Sequence, residues 1–397
     1  MSGPAAPVRE VDAACLRDLV HAAGRGNGLD EVGCTDVAIF PEVRRSLERR
    51  RDAGQHAGMS FTFRNPARST DPTRLLREAR TLVVGARGYL EARPDRPEGP
   101  VAAVARYAWR DHYAELRVGL DAMADVLRRH GHRAAVFVDD NALVDRAAAH
   151  RAGIGWWGRN SNLLVPGSGS WFVLGSVVTD AALPVAAAPV ADGCRTCTRC
   201  VTACPTGAIL DDGVIDARRC LAWLVQDVGV FPRQHRIALG DRIYGCDDCQ
   251  EVCPPGRRDV TGADQGAPTV DAAPDAWVSV LELLDPSIGD DDLLARFGRW
   301  YIPQRDPRHL RRNALVVLGN VGDASDPVQR ATLRRWCDDD DELLRAHAVW
   351  AAARLGLLDL VAARRDDPSP LVRAEVAMAP SVPLAPGAAS AAAVRLS

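Results

Sequence analysis

The cysteines constrain this chain more than any other feature. Of the eleven cysteines in its 397 residues, eight fall between positions 194 and 253, while Cys15, Cys34 and Cys337 stand alone. In a reducing cytoplasm disulfides are rare, so thiols crowded this closely point to metal ligands.

The spacing narrows the metal. Cys194, Cys197, Cys200 and Cys204 form Cys-x2-Cys-x2-Cys-x3-Cys, followed by Pro205. This is the bacterial ferredoxin run, in which three thiolates on one tight loop hold three corners of a [4Fe-4S] cube. A second run follows at Cys246, Cys249, Cys253 and Pro254. In two-cluster ferredoxins the fourth cysteine of a run ligates the other cube. Crossing assigns Cys194, Cys197, Cys200 and Cys253 to one cluster and leaves Cys204, Cys246 and Cys249 one ligand short; Cys220, the unused cysteine of the segment, completes the set. Zinc also takes Cys-x2-Cys pairs, but the third cysteine at the same short spacing and the two prolines fit it poorly. Thr206, Gly207, Ala208 and Ile209 extend the ferredoxin likeness and predict a short strand beside the cluster. Two cubes make a relay for single electrons, which needs well under a hundred residues. Over three hundred others need a purpose.

Before the cysteines the pattern is mixed. Thr81 to Ala86, Ala135 to Val138 and Trp171 to Val178 are short apolar runs of strand length. Leu116, Leu120, Met123 and Leu127 recur at helical spacing, with Gly131 as a stop, and a second helix is expected from about Ala142 to Arg151. Strands alternating with helices predict an α/β domain whose ligand sites favour the loops after strands. Asp139, Asp140 and Asn141 occupy such a loop, and Asp139 could equally cap the helix. Further on, Gly153, Gly155 and Gly158 would allow a bulky ligand to approach the backbone, with Asn160, Ser161 and Asn162 meeting its polar edge.

After the cysteines, residues 254–276 read as a Pro- and Gly-rich linker. Related segments then start at Leu310, Leu344 and Val372, each presenting an arginine beside an apolar stripe, as in HEAT-type helical repeats. Arg305, Arg308, Arg311, Arg312, Arg330, Arg334 and Arg335 could meet phosphates, although the acidic run from Asp338 to Glu342 would repel them. All 49 basic residues are arginine, which excludes a lysine Schiff base, a lysine general base and a P-loop lysine. The net charge of −3 gives no global basic footprint for nucleic acid, so an RNA partner would meet a local arginine patch. No run approaches 18 apolar residues and the start has no secretory pattern, so a cytoplasmic protein without membrane contact is expected.

Several stretches together resemble the tRNA epoxyqueuosine reductases, cobalamin-dependent iron-sulfur enzymes related to the reductive dehalogenases. They are Val138 and Asp139, Gly153 to Leu164, Gly169 to Gly175 before Thr179 and Asp180, the CPTGAI segment, the DARRC ending at Cys220, and RIYGCDDCQEVCP from Arg242 to Pro254. The resemblance implies removal of the epoxide oxygen from epoxyqueuosine at the tRNA wobble position, with two electrons and two protons consumed and water released. It implies two [4Fe-4S] clusters and cobalamin without a histidine ligand; no Asp-x-His-x-x-Gly stretch occurs here. It makes Asp139 the general acid and puts cobalamin contacts among Tyr107, Asp139, Asn160, Ser161, Asn162 and Asp247. The implied architecture is α+β and multidomain: an α/β cobalamin domain at 1–185, a ferredoxin-like domain at 186–260, a linker at 261–276 and HEAT-like repeats at 277–397. The partners expected are tRNA carrying epoxyqueuosine in its anticodon and a low-potential donor such as flavodoxin or ferredoxin, with the chain a monomer. Departures from the family pattern are Arg159 for lysine, Ser161 for threonine, Ala142 for proline, Asp145 for glutamate, and an altered segment from Arg106 to Tyr113. Two other readings use the same residues: a cobalamin and iron-sulfur reductase of a small molecule, or an electron-transfer adaptor.

Overall fold

The computed structural model describes residues 11–210, 213–256 and 275–386. Along the chain its strands are β1 (Glu31–Asp36), β2 (Thr81–Gly88), β3 (Val101–Val104), β4 (Ala134–Val138), β5 (Trp156–Trp157), β6 (Leu163–Leu164), β7 (Phe172–Thr179), β8 (Arg242–Tyr244) and β9 (Trp277–Ser279). The three apolar runs read from the sequence are β2, β4 and β7. They belong to one four-stranded sheet of order β1-β2-β7-β4.

Period-two alternation sorts the side chains of this sheet onto two faces. Val83 and Val177 pack under the helix His112–Arg129, whose Leu116, Leu120, Met123 and Leu127 are wholly buried. Leu82, Val84 and Val178 pack on the other face against Ala147, Ala148 and Ala149 of the helix Asp145–Arg151. The expected α/β pattern is corrected in one respect. Every neighbouring pair in the sheet is antiparallel, because β7 returns between β2 and β4, with Val83 and Val136 both opposite Val177. The layers are therefore those of an α+β arrangement. The expected strand at Ile209 is only an isolated bridge to Ile215.

A second sheet joins distant parts of the chain. β3 lies parallel to β8, from between the cysteine runs, and antiparallel to β9, from beyond them. The core beneath is shared accordingly: Trp109, Leu224, Phe231, Leu315 and Trp350 belong to one buried cluster. Of the expected linker, 257–274 lies outside the described residues. Beyond it the chain is helical, with Arg308–Val321, Pro327–Cys337, Glu342–Arg354, Leu358–Ala362 and Pro370–Met378 as the main elements. The segments that look repeated occupy the first, third and fifth of these. Glu342–Arg354 is buried along most of its length, which fits a central helix covered on several sides. Among the described residues no helix is long and apolar enough to cross a membrane.

The repeated arginines do not wait for phosphate. Arg312 is fully buried and donates to the carbonyls of Asp227 and Gly229 at 2.7 Å and Leu224 at 3.2 Å. Arg345 holds the carbonyls of Asp339 (2.7 Å) and Asp340 (2.9 Å) as well as Asp367. Arg373 does the same for Asp367 (2.6 Å) and Pro368 (2.9 Å). Each planar fork ties loop carbonyls that would otherwise be unsatisfied. Arg308 and Arg311 are paired with Asp341 and Asp290, Arg330 with Asp359 and Arg335 with Asp339. Phosphate would have to displace these carboxylates.

Burial pushes the Arg312 guanidinium down to about 9, so even this strong base is held at some cost. Replacing it leaves its carbonyl partners and a cavity behind. Arg312→Ala should lower unfolding free energy by ~3 kcal/mol or more, and Arg312→Lys, with a single donor head, should recover little of it. Chemical denaturation checks both.

Candidate functional site

The cysteine thiols gather in two groups. Cys253 lies within electrostatic reach of Cys194, Cys197 and Cys200, and Cys200 of Cys194 and Cys197. Cys220 faces Cys204, Cys246 faces Cys220, and Cys249 faces Cys246 and Cys220. Cys249 also reaches Cys200, so the two groups approach one another there. Burial pushes the Cys253 thiol up to about 11 and Cys246 to about 12, and raises Cys200, Cys220 and Cys249 as well. Thiols so placed become thiolates only when a metal charge offsets the loss of water. Among the described residues no three His, Cys, Asp or Glu side chains converge on a point that one ion would occupy. A cube is held at separate corners and asks for wider spacing.

Local contacts shape the loops. Asp192 accepts the Cys194 N–H at 2.8 Å, and the Cys197 N–H meets the Cys194 carbonyl at 2.8 Å. The Trp156 indole N–H points at the Cys194 sulfur (3.5 Å) and the Ala208 N–H at the Cys204 sulfur (3.2 Å). Such donors help set the reduction potential of a bound cluster.

Asp139 stands where β4 ends. Its φ of +49° lies in the left-handed region, a strained choice for a residue with a side chain. It does not cap the following helix. Asp140 closes the turn by accepting the Ala142 N–H at 2.7 Å, and Asn141 anchors the loop through the Thr62 N–H (3.1 Å) and the Ser69 hydroxyl (2.6 Å). Among the described residues the Asp139 carboxyl has no hydrogen-bond partner. Solvent reaches it, yet the protein around it removes enough water to raise its pKa, with the Asp140 charge as second cause. Asp145, less exposed, is raised well above the usual range by burial and then by Asp139.

Three tyrosines complete this corner. Tyr113 and Tyr244 both feel the Asp139 charge, and burial raises both hydroxyls. Tyr244 stacks on Trp300 at 4.6 Å and accepts the Tyr301 N–H at 2.7 Å, while the Tyr107 ring lies 6.0 Å from it. Of these, the sequence reading singled out only Tyr107. The signal for the other two lay in their neighbours: Tyr113 ends the altered 106–113 segment, and Tyr244 is two residues before Cys246.

The 153–164 motif is placed differently from its expected use. A Cβ on Gly155 would come 2.3 Å from the Leu164 carbonyl, and one on Gly158 would come 2.1 Å from the Leu164 side chain. These glycines make room for β6, a strand of the protein itself. The Ser161 hydroxyl donates to the Gly213 carbonyl, and the Asn162 carbonyl accepts the Gly158 N–H at 2.8 Å. Asn160 is buried; its oxygen accepts the Asn162 N–H at 3.2 Å, and its amide nitrogen has no partner among the described residues. That orphaned donor is what a polar ligand edge would satisfy. Arg159 reaches the Arg195 carbonyl at 2.8 Å and so ties the motif to the first cysteine loop.

Asp247 is held by arginines. It accepts the Arg106 N–H at 2.9 Å, with Arg93 at 3.7 Å, and burial pushes it up to about 6. One of its oxygens is also without a partner. Nearby, Gln250 accepts from Ser170 (3.0 Å) and Tyr89 (3.2 Å), and Trp171 donates to the Gly256 carbonyl at 3.2 Å. The start of β7 is thereby seated on the second cysteine run.

Two grouped sets of thiols, packed against an α+β layer with an aspartic acid at a strand end, define an iron-sulfur oxidoreductase. Residues 193–256 match the family model described as a 4Fe-4S double cluster binding domain. An epoxyqueuosine reductase of Bacillus anthracis is 31% identical over 86% of this chain and 89% of its own length. One of Vibrio cholerae serotype O1 is 37% identical over 82% and 88%. The chain belongs to the epoxyqueuosine reductase family. A crystal structure of epoxyqueuosine reductase with an epoxyqueuosine-modified tRNA-Tyr stem loop superposes with a TM-score of 0.81 at 28% identity, covering 92% of this chain and 97% of that one.

The seating of β7 on the second cysteine run can be probed at one glycine. Gly169 has φ +75°, and a Cβ there would come 2.5 Å from the Gly256 Cα. Gly169→Ala should cost at least about 1 kcal/mol and loosen the loop that carries Cys253. Thermal melting together with iron content checks it, the expected result being a lower Tm and fewer irons per chain.

Proposed function

We propose that this chain reduces epoxyqueuosine to queuosine at the wobble position of tRNA, using two [4Fe-4S] clusters and cobalamin. Family membership over most of the chain carries the reading, and the strained, partnerless acid at the end of β4 supports it from the site. In this reading Cys194, Cys197, Cys200 and Cys253 hold one cube, and Cys204, Cys220, Cys246 and Cys249 the other. Asn160, with its free amide donor, and Tyr107, Ser161, Asn162 and Asp247 belong to the walls of the cofactor site. When bound, the cofactors supply electrons one at a time and a cobalt centre able to deliver two of them to an epoxide.

The protein's own part is protonic and positional. Breaking the epoxide C–O bond leaves an alkoxide, which must be protonated on its way to water. Asp139 is proposed to supply that proton, and its environment suits the role, since desolvation keeps more of it in the acid form than an ordinary aspartate would have. Asp145, deeper in the protein, is raised in turn, by burial first and then by the Asp139 charge. Tyr113 and Tyr244 keep their protons because burial raises their pKa values, so they line the site as neutral donors. The C-terminal helices are read as HEAT-like repeats that extend the surface for the tRNA stem loop. The enzyme is taken to act as a cytoplasmic monomer fed by a low-potential carrier.

Two outcomes are expected. Asp139→Asn should keep its iron and cobalamin but lose at least about a hundredfold in turnover of epoxyqueuosine stem loop. Because the acid form is active, wild-type turnover should fall as pH rises through the raised Asp139 pKa, and the variant should lack that limb; a pH-rate profile reads both. Cys220→Ser should retain the first cube and lose or degrade the second, with iron near half the wild-type content and a changed electron paramagnetic resonance spectrum.

A further inference from the structure

The two thiol groups differ in the chain around them. Cys246 follows Tyr244, which interacts with Asp139, by two residues. The loop of the first group runs along the surface, although Cys200 itself is buried. Between Asp192 and Arg199 the cysteines Cys194 and Cys197 are half-buried, while Asp192, Gly193, Arg195, Thr196, Thr198 and Arg199 are exposed. This exposed loop gives an electron arriving from solution a way in at Cys194 and Cys197. The Cys249 to Cys200 approach then offers the step inward.

The collar has a sign. Arg195 and Arg199 project from it, and among the described residues neither has a carboxylate within 4.0 Å. What sets them apart from other unpaired surface arginines is their place, on either side of the half-buried Cys197. Asp192 spends a carboxylate oxygen on the Cys194 N–H. Arg159, whose guanidinium meets the Arg195 carbonyl, adds charge behind the loop. A second route in can be compared. A recess of about 170 Å³ also reaches Cys246, but Asp241, Asp247, Asp248 and Glu251 line it against only Arg93 and Arg242. Its net charge is negative.

We propose that the collar from Asp192 to Arg199 is the docking surface for an acidic, low-potential, one-electron carrier protein. Arg195 and Arg199 are its charge contacts. The inference rests on the proposed reduction of epoxyqueuosine. Each encounter oxidises the carrier by one electron and reduces the first cube by one. Two encounters, with two protons from solvent by way of the site acid, convert one epoxide oxygen to water. Opposite charge around a small exposed patch steers such encounters without requiring a large buried interface.

The test uses the full-length holoenzyme and the double variant Arg195→Glu, Arg199→Glu. Turnover of epoxyqueuosine stem loop is driven in parallel by a reduced flavodoxin, as acidic carrier, and by reduced methyl viologen, a small cation. The variant should keep its iron, sulfide and viologen-driven kcat, while KM for flavodoxin rises about tenfold or more and loses most of its salt dependence. An unchanged flavodoxin KM overturns the proposal. So does a variant whose stem-loop affinity falls while its flavodoxin KM holds, because the arginines would then belong to the RNA surface. If wild-type enzyme fails to turn over with viologen, the proposed reaction itself is wrong, a failure distinct from that of the docking surface.

Discussion

Buried thiolate charge is the constraint on which this architecture depends. Burial drives the thiols of Cys200, Cys220, Cys246, Cys249 and Cys253 toward the protonated form. Metal charge can reverse that preference, but it leaves a segment from Cys194 to Cys253 with few side chains free for an apolar core. The surroundings supply the core instead. β8 from inside the segment is zipped to β3 and β9 from outside it, and Leu221, Leu224 and Phe231 are buried among residues of the C-terminal helices. Arg312 then fastens the loop after Cys220 through its carbonyls.

The same frame creates the chemical corner. β8 ends at Tyr244, two residues before a second-group cysteine, and Tyr244 interacts with Asp139 at the end of β4. A four-stranded sheet and a three-stranded sheet thus bring an acid and a buried thiol group toward one another. The left-handed backbone at Asp139 fits this arrangement. Its strain is tolerated because Asp140 and Asn141 pin the following loop to Ala142, Thr62 and Ser69.

Much of this was legible in the residues. Spacing picked out seven of the eight cysteines, since ligand spacing on a tight loop is a local property, whereas Cys220 entered only as the cysteine left over. Strands β2, β4 and β7 were readable because each is a short apolar run with helices between. Sheet direction was not, because an apolar run reads the same whether its neighbours run with it or against it. β3, β8 and β9 escaped for a related reason: three or four residues long, they gain their strand character from partners more than a hundred residues away. The glycines at 155 and 158 show the sharpest limit. Sequence marks that something must come close, but only the fold identifies Leu164 as what does.

The absence of lysine acquires a structural meaning from the arginine contacts. A lysine ammonium satisfies acceptors around a point, whereas the carbonyls at 224, 227 and 229, like those at 339 and 340 or 367 and 368, come in sets that a planar fork spans. Arginine at these positions works as internal scaffolding between successive loops. Those side chains are committed to the fold. Other exposed arginines, Arg195 and Arg199 beside the first cysteine run among them, have no carboxylate within 4.0 Å among the described residues and are left to face solution.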